Sequence, residues 1–423
     1  MTDDGYPQEP IERQEEEAVE IGPEGTPPSL AARMELAQRA GGLVVPLVTT
    51  LLAFGIAGLV VLATGHNPFT TYKAIFNGTG LNWFFPWVTG AARANAAINL
   101  QQTLIITTPL ILTGLAVAFA FRCGMFNIGG QGQYLIGAYM SVWIGSRFVG
   151  MTSWLHILIV VVLATLAGGA WAGIAGFLKA TTGAHEVIST IMLNWIAYWG
   201  GTYLFGLGGP LQNPQQKFVP ISPDVVPKAR LPVFWGNPAL QGLHVGLFIA
   251  IGMLFVFYLV LNRTTLGYQV RAVGYNPEAA HYGGINVPRN YFIAMAISGM
   301  FAGLAGAIDM LGWAFRISVS DVQASQIGFI GIAVALLGRN TAVGTFFAAL
   351  LFGALYTGTS TRHLDPAIFR PDLAFNLTQI IQGLVVLFVG ADVLVLYIWN
   401  ARRKLRPKRA APVQEAPAME AQA

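Results

Sequence analysis

Charge, cysteine and the familiar catalytic signatures are all scarce in this chain. Asp, Glu, Lys and Arg make up only 10% of its 423 residues, where a soluble domain carries about 25%. With 54% hydrophobic residues and a mean hydropathy of +0.56, that shortage excludes a soluble globular protein and predicts a polytopic membrane protein. The one cysteine, Cys123, excludes an intramolecular disulfide, so folding does not depend on an oxidising compartment. No G-x-x-x-x-G-K-[ST] occurs, so the chain carries no P-loop ATPase of its own. Its six histidines form no H-E-x-x-H or other close pair, which argues against zinc chemistry, and there is no G-x-S-x-G nucleophile elbow.

The charges that are present are segregated. Ten of the 20 acids fall in residues 1–40, and six of the 24 bases are Arg402, Arg403, Lys404, Arg406, Lys408 and Arg409. The acidic stretch 1–40 is too polar and too rich in Pro and Gly to build a core, so it reads as a disordered tail, and it lacks the basic-then-apolar pattern of a signal peptide. The basic cluster in 401–423 suits topology and anionic lipid headgroups rather than nucleic acid.

Between the tails, residues 41–400 hold apolar segments near 42–64, 102–121, 125–146, 154–178, 187–206, 242–261, 291–312, 326–338, 342–359 and 377–399. The expected fold is all-α, a polytopic transmembrane helix bundle of about ten spans. The segment 326–338 is too short for a full crossing and reads as a broken helix. Residues 65–100 read as a connector whose Trp83, Phe84, Phe85 and Trp87 anchor it at the membrane interface. Arg33 and Arg39 precede the first span and the basic cluster follows the last, so both termini are expected to be cytoplasmic. On that count the polar loop 262–290 lies inside and the Pro-rich stretch 208–240 outside.

Only eight acids occur between residues 41 and 400: Glu186, Asp224, Glu278, Asp309, Asp321, Asp365, Asp372 and Asp392. An ionisable group at membrane depth is costly, so these few are functional candidates. Glu186, Thr190 and Asn194 follow one another at helical spacing and form a polar stripe that faces protein or water rather than lipid, either as a pathway or as helix-to-helix hydrogen bonding. Asp309 and Asp392 lie near span ends, where solvation is easy. In FNIGGQGQYLIGAY, 126–139, Asn127, Gln131 and Gln133 stand among glycines that allow close packing or an unwound backbone lining a cavity. Gln379 and Gln382 add amides to the last span.

The loop 262–290 holds a helix of its own. Asn276 is a good N-cap, Pro277 is tolerated at the first helical position, and Glu278 suits the helix dipole. Gly283 and Gly284 then end the helix after roughly two turns. Such a helix is either presented to a partner or an ordinary connector.

Three of these stretches together resemble one family. FNIGGQGQ is similar to the F-N-I-G-x-E-G-Q signature of the branched-chain amino acid, ribose and nucleoside permeases of bacterial ABC importers. HEVISTIMLNWIAYW resembles the nucleoside branch. RAVGYNPEAAHYGGINVPRN resembles the loop by which such permeases dock on their ATPase, with Asn276, Pro277, Glu278, Ala279, Ala280, Gly283 and Gly284 as its coupling residues. One position departs from the pattern, since Gln131 stands where the family has Glu. The resemblance implies a passive permease domain over 41–400 in a bacterial inner membrane, with ATP and Mg on a separate ABC ATPase subunit and no cofactor in this chain. It also implies a second permease subunit, often a different one, and an extracytoplasmic substrate-binding protein.

Asn127, Gln131, Gln133, Glu186, Thr190 and Asn194 are then the candidate substrate pathway. A lining without Arg or Lys disfavours phosphorylated cargo, and a zwitterion would want partners for both charges. Nucleosides, with simple sugars as the alternative, remain. Trp195, Tyr198 and Trp199 could stack on a base or serve as packing. An ion-coupled transporter would need charged groups at mid-membrane, which are sparse, and a membrane-embedded enzyme would need a nucleophile or metal set.

Overall fold

In the computed structural model, residues 47–48, 50–237, 242–360 and 371–390 are described. The expectations for the tails 1–40 and 401–423, for Asp365 and for Asp392 lie outside them. The described residues are mostly helical: α1 (Thr50–Ala63), then α2 (Pro68–Thr79), α3 (Gly90–Arg122), α4 (Gly130–Gly145), α5 (Ser153–Thr182) and α6 (Glu186–Phe205). A small hairpin, β1 (Val233–Trp235) and β2 (Leu243–His244), leads into α7 (Gly246–Arg263), α8 (Thr265–Tyr275), α9 (Pro277–Tyr282) and α10 (Val287–Asp309). A π turn, Met310–Ala314, extends α10, and α11 (Val319–Ala324), α12 (Ile327–Leu337), α13 (Ala342–Gly358) and α14 (Pro371–Gly390) follow.

Local chemistry sets many of the helix starts. Asn67, Thr264, Asn276, Asn286, Ser318 and Thr341 each accept a backbone N–H of the helix they precede, which satisfies a donor the helix itself leaves open. At Ser318 the bond is reciprocated by Asp321, a capping box.

Among the described residues, five helical stretches are long and apolar enough to cross a membrane: α3, α5, α7, α10 with its π turn, and α11–α12 together. Counting the bent pair α1–α2 gives six. Ten spans are the expectation from sequence. The other segments it named are shorter or more polar: α4 has 16 residues and α13 has 17, against about 20 for a full crossing.

The sequence reading holds at the end of the first span and at the short segment near 326–338, and differs in the connector 65–100. The first span stops at Ala63, and the chain turns by 119° into α2. The connector 65–100 is largely helical, because α2 occupies its middle and the Ala-rich run 90–101 forms the first turns of α3. Its aromatic residues are partly an internal cluster. Trp83 lies 5.4 Å from Trp235 and under the Arg93 guanidinium, while Phe84 and Trp87 stay exposed. The short segment near 326–338 is α12, separated from α11 by Ser325 and Gln326.

α3 and α10 form the buried centre. α10 reaches α5 and α4 through glycine: a Cβ on Gly303 would sit 2.6 Å from the Ala164 carbonyl oxygen and 2.9 Å from the Gly168 Cα. A Cβ on Gly137 would meet the Gly303 Cα at 2.6 Å. Gly299 and Gly303 are spaced as a G-x-x-x-G face, which lets backbones meet where no hydrophobic drive exists.

The described part of the Pro-rich stretch, 208–237, straps one end of the bundle. Ser222 N donates to the Ile317 carbonyl at 2.9 Å, Val225 N to Phe315 at 2.7 Å and Leu231 N to Leu311 at 2.8 Å. At the strap's far end His244 is buried, and burial pushes its imidazole down to about 4, so it enters the fold uncharged.

Candidate functional site

Five of the six pathway candidates meet at the entry of α4. This helix has no cap from its own chain neighbourhood. Its Gly132 N–H is met instead by Asn194 Oδ1 from α6, at 2.7 Å, and Asn194 Nδ2 donates to the Ile128 carbonyl at 2.9 Å. Asn194 is thus a tertiary cap that ties α6 to the unwound stretch before α4.

Asn127 and Gln133 bond reciprocally. Each amide nitrogen donates to the other's oxygen at 2.9 Å, and Asn127 Oδ1 also accepts the Gly129 N–H. Asn127 Nδ2 further donates to Ser298 Oγ at 2.7 Å, and Ser298 passes its own hydrogen to the Ala116 carbonyl. One buried chain therefore joins α4, α10 and α3. Gly129 makes room for it, because a Cβ there would lie 2.7 Å from Gln133 Nε2. Thr190 is buried against the same turn and donates to the Glu186 carbonyl at 2.8 Å.

Gln131 holds the break between α11 and α12. Its Nε2 donates to the Ser325 carbonyl at 2.9 Å and its Oε1 accepts the Gly328 N–H at 2.8 Å. An amide is matched to that task, since it is donor and acceptor at once. Gln131→Glu, which restores the family's residue, should therefore lower thermal stability by about 1–3 kcal/mol, because the Ser325 carbonyl loses its donor. A melting curve equal to wild type would contradict this. Glu186 stands apart from the amides, at the first turn of α6, where it forms an ion pair with Lys179 Nζ at 3.0 Å.

Asp309 is not the easily solvated span-end residue that its position implied. The π turn carries α10 on to Ala314, so Asp309 lies inside a 28-residue stretch. It is 9% exposed and accepts a hydrogen bond from Tyr134 of α4. Ser298, Tyr134 and Ser325 were not singled out from sequence. Ser298 is an isolated polar group in an apolar run, Tyr134 and Ser325 sit among other polar residues that drew the reading, and the partner of each lies far along the chain.

The loop 262–290 holds two helices rather than one. α8 precedes the anticipated α9 and was missed because its buried face is narrow, Gly267, Val270 and Val273. Asn276 caps α9 as expected, accepting from Glu278 N at 2.9 Å and Ala279 N at 3.0 Å. Gly283 and Gly284 end it, Gly284 in the left-handed region at φ +80°. Ala280 is buried, while Glu278, Ala279 and His281 are exposed, flanked by Tyr275 at 89% and Tyr282 at 91% exposure. α8 is seated directly on the turn after α3: a Cβ on Gly274 would lie 3.0 Å from Gly124 N. The exposed tyrosines and the Asn127–Gln133 lock are therefore joined by the short turn 122–129.

At the strap a cavity of about 990 Å³ opens among Trp143, Arg147, Gln212, Gln216, Lys217 and Asp224. The face of α6 opposite Asn194 is bare and apolar, with Ile188, Met192, Trp195, Trp199 and Tyr203 all exposed.

This architecture, a helical bundle with a capped, tyrosine-flanked helix projecting from it, agrees with the comparisons to known proteins. The family described as branched-chain amino acid transport system, permease component, matches residues 99–390. The chain is 34% identical to the guanosine ABC transporter permease protein NupP of Bacillus subtilis, over 87% of this chain and 99% of NupP. It is 32% identical to the nucleoside ABC transporter permease protein NupB of Lactococcus lactis, over 84% and 92% of the two chains. It is also 32% identical to the glucose ABC transporter permease protein TsgB13 of Haloferax volcanii, over 81% and 86%. No solved structure matches it. The chain belongs to the permease component family of the branched-chain amino acid type, and it is a multi-pass membrane transport subunit of an ABC transporter.

Proposed function

We propose that this chain is the membrane half of an importer that moves nucleosides inward, driven by ATP hydrolysis on a separate subunit. The observation that carries the coupling part is α9, a capped helix with Ala279 exposed between two bare tyrosines and α8 seated on the turn 122–129. A partner groove that takes Ala279 would push on that turn, and through it on the amide lock at the entry of α4. ATP and Mg belong to the partner in this reading.

The total of ten spans is reached if α1, α4, α6, α13 and α14 cross alongside the five longer stretches. Both termini and the α8–α9 loop are then cytoplasmic, and the strap faces outward in a bacterial inner membrane. Its 990 Å³ cavity suits the docking and discharge of a substrate-binding protein. A second permease packed along the bare aromatic face of α6 would complete the pore.

The pathway candidates frame the wall rather than grip the solute. Most of the polar groups of Asn127, Gln131, Gln133 and Asn194 are spent on protein partners. On and after α11 the exposed Gln323 and Gln326 are placed to meet a neutral, hydroxyl-rich cargo, whereas Ser320 and Asp321 are engaged with Ser318. The nucleoside assignment draws its support from the names of NupP and NupB, and the glucose permease TsgB13 keeps simple sugars as the second reading.

Deleting the gene and measuring uptake of radiolabelled uridine, adenosine and ribose tests the substrate. Loss of uridine and adenosine uptake with ribose uptake intact is the expected result. Loss of ribose uptake alone would overturn the nucleoside reading and favour sugars.

A further inference from the structure

A second polar cavity, about 290 Å³, lies where the last turn of α3, the α7–α8 junction and the α12–α13 turn meet. Arg122, Arg271, Tyr275 and Asn262 line it beside Phe257 and Leu261. Arg122 spends Nε and Nη2 on the Asn340 carbonyl, at 3.1 and 2.7 Å, and Arg271 Nε reaches the Gly267 carbonyl at 3.3 Å. Each guanidinium keeps further N–H groups that meet no acceptor among the described residues. No carboxylate of the described residues lines the cavity. Lys179 with Glu186 and Arg316 with Asp224 form ion pairs away from this cavity.

Two like charges held in one cavity repel, so the arrangement is incomplete without an anion. The first turn of α13 adds to the field. Thr341 Oγ1 takes the Gly344 N–H at 3.1 Å, which leaves the N–H groups of Ala342 and Val343 open along the cavity wall. From the cavity, α7 and α13 continue as exposed apolar faces, Phe255, Tyr258 and Leu259 on one and Val343 and Phe347 on the other. A free anion would leave those faces unused, whereas a ligand with a charged head and hydrocarbon tails would cover both.

We propose that this cavity binds the phosphate headgroup of an anionic phospholipid, with its acyl chains lying on α7 and α13. A phosphodiester offers two non-bridging oxygens to the guanidinium forks. A zwitterionic lipid would bring a cation against two arginines. Because Tyr275 directly precedes the N-cap of α9, the bound lipid would brace the loop that carries the exposed coupling helix, which makes transport sensitive to lipid charge.

The test is lipid retention by the full-length protein, purified with its partner subunits and exchanged into equal phosphatidylglycerol and phosphatidylcholine, read by native mass spectrometry. Phosphatidylglycerol should be retained about ten-fold over phosphatidylcholine. Arg271→Gln should abolish that preference. So should Val343→Asp, which sets a carboxylate into the anion site while suiting the first turn of α13, so the fold is kept. Millimolar inorganic phosphate should not displace the lipid. Equal retention of the two lipids, an undiminished preference in both variants, or displacement by phosphate alone would each overturn the assignment, the last in favour of a free-anion site.

Discussion

Ala279→Arg should cut transport at least ten-fold while the permease still inserts and melts like wild type. Ala279 is exposed on α9, so arginine costs the isolated chain little. In a groove of a partner ATPase the same side chain would collide with the surface that α9 enters. Interface residues packed at the centre of a contact are worth about 2 kcal/mol or more, roughly thirty-fold in affinity. The loss should appear as failure to copurify with the ATPase, or as hydrolysis that no longer follows substrate. Ala280, one residue on, is the contrast. It is buried, so arginine there should reduce the amount of folded protein instead. Wild-type transport by Ala279→Arg would leave α9 a connector.

Asn127→Leu should have the larger effect on folding. Leucine has a similar volume but removes four hydrogen bonds, and it strands the Gln133 amide and the Gly129 N–H in a buried site. Each buried group left without a partner costs about 1–3 kcal/mol, against a total stability of about 5–15 kcal/mol. Folded yield in detergent should collapse. The double variant Asn127→Leu with Gln133→Leu should recover part of that loss, because the two amides that faced each other are then both gone. If the single variant folds normally and only transport falls, the amides contact the solute directly rather than hold the wall.

Legibility from sequence followed the range of the interactions. The start and stop of α9 were readable because Asn276, Pro277, Gly283 and Gly284 act on their immediate neighbours. The break before α12 was readable from its length. α8 was not, since its buried face is three residues, and neither were the first turns of α3, whose Arg, Asn and Gln look unlike a membrane span while their alanines favour helix. Asp309 was misjudged because a π turn, which hydropathy cannot reveal, prolongs α10 past it. Thr190 and Asn194 of the α6 stripe do lie with the amides of the FNIGGQGQ stretch in the fold, while Glu186 stands apart with Lys179. The partners of those amides were not readable, because Ser298, Ser325 and the Ala116 carbonyl come from elsewhere in the chain. Such contacts decide whether an amide binds cargo or binds the protein, and they exist only in the folded chain.

In the proposed reading this bundle is passive and is driven by a separate ATPase docked at α9. Proteoliposomes holding the permease pair, with and without that ATPase, test it most directly, with uptake of labelled guanosine or uridine measured in the presence of the binding protein. Uptake that requires both ATP and the ATPase, and that is lost in Ala279→Arg, is the predicted result. Uptake driven by an ion gradient in liposomes lacking the ATPase would contradict the account.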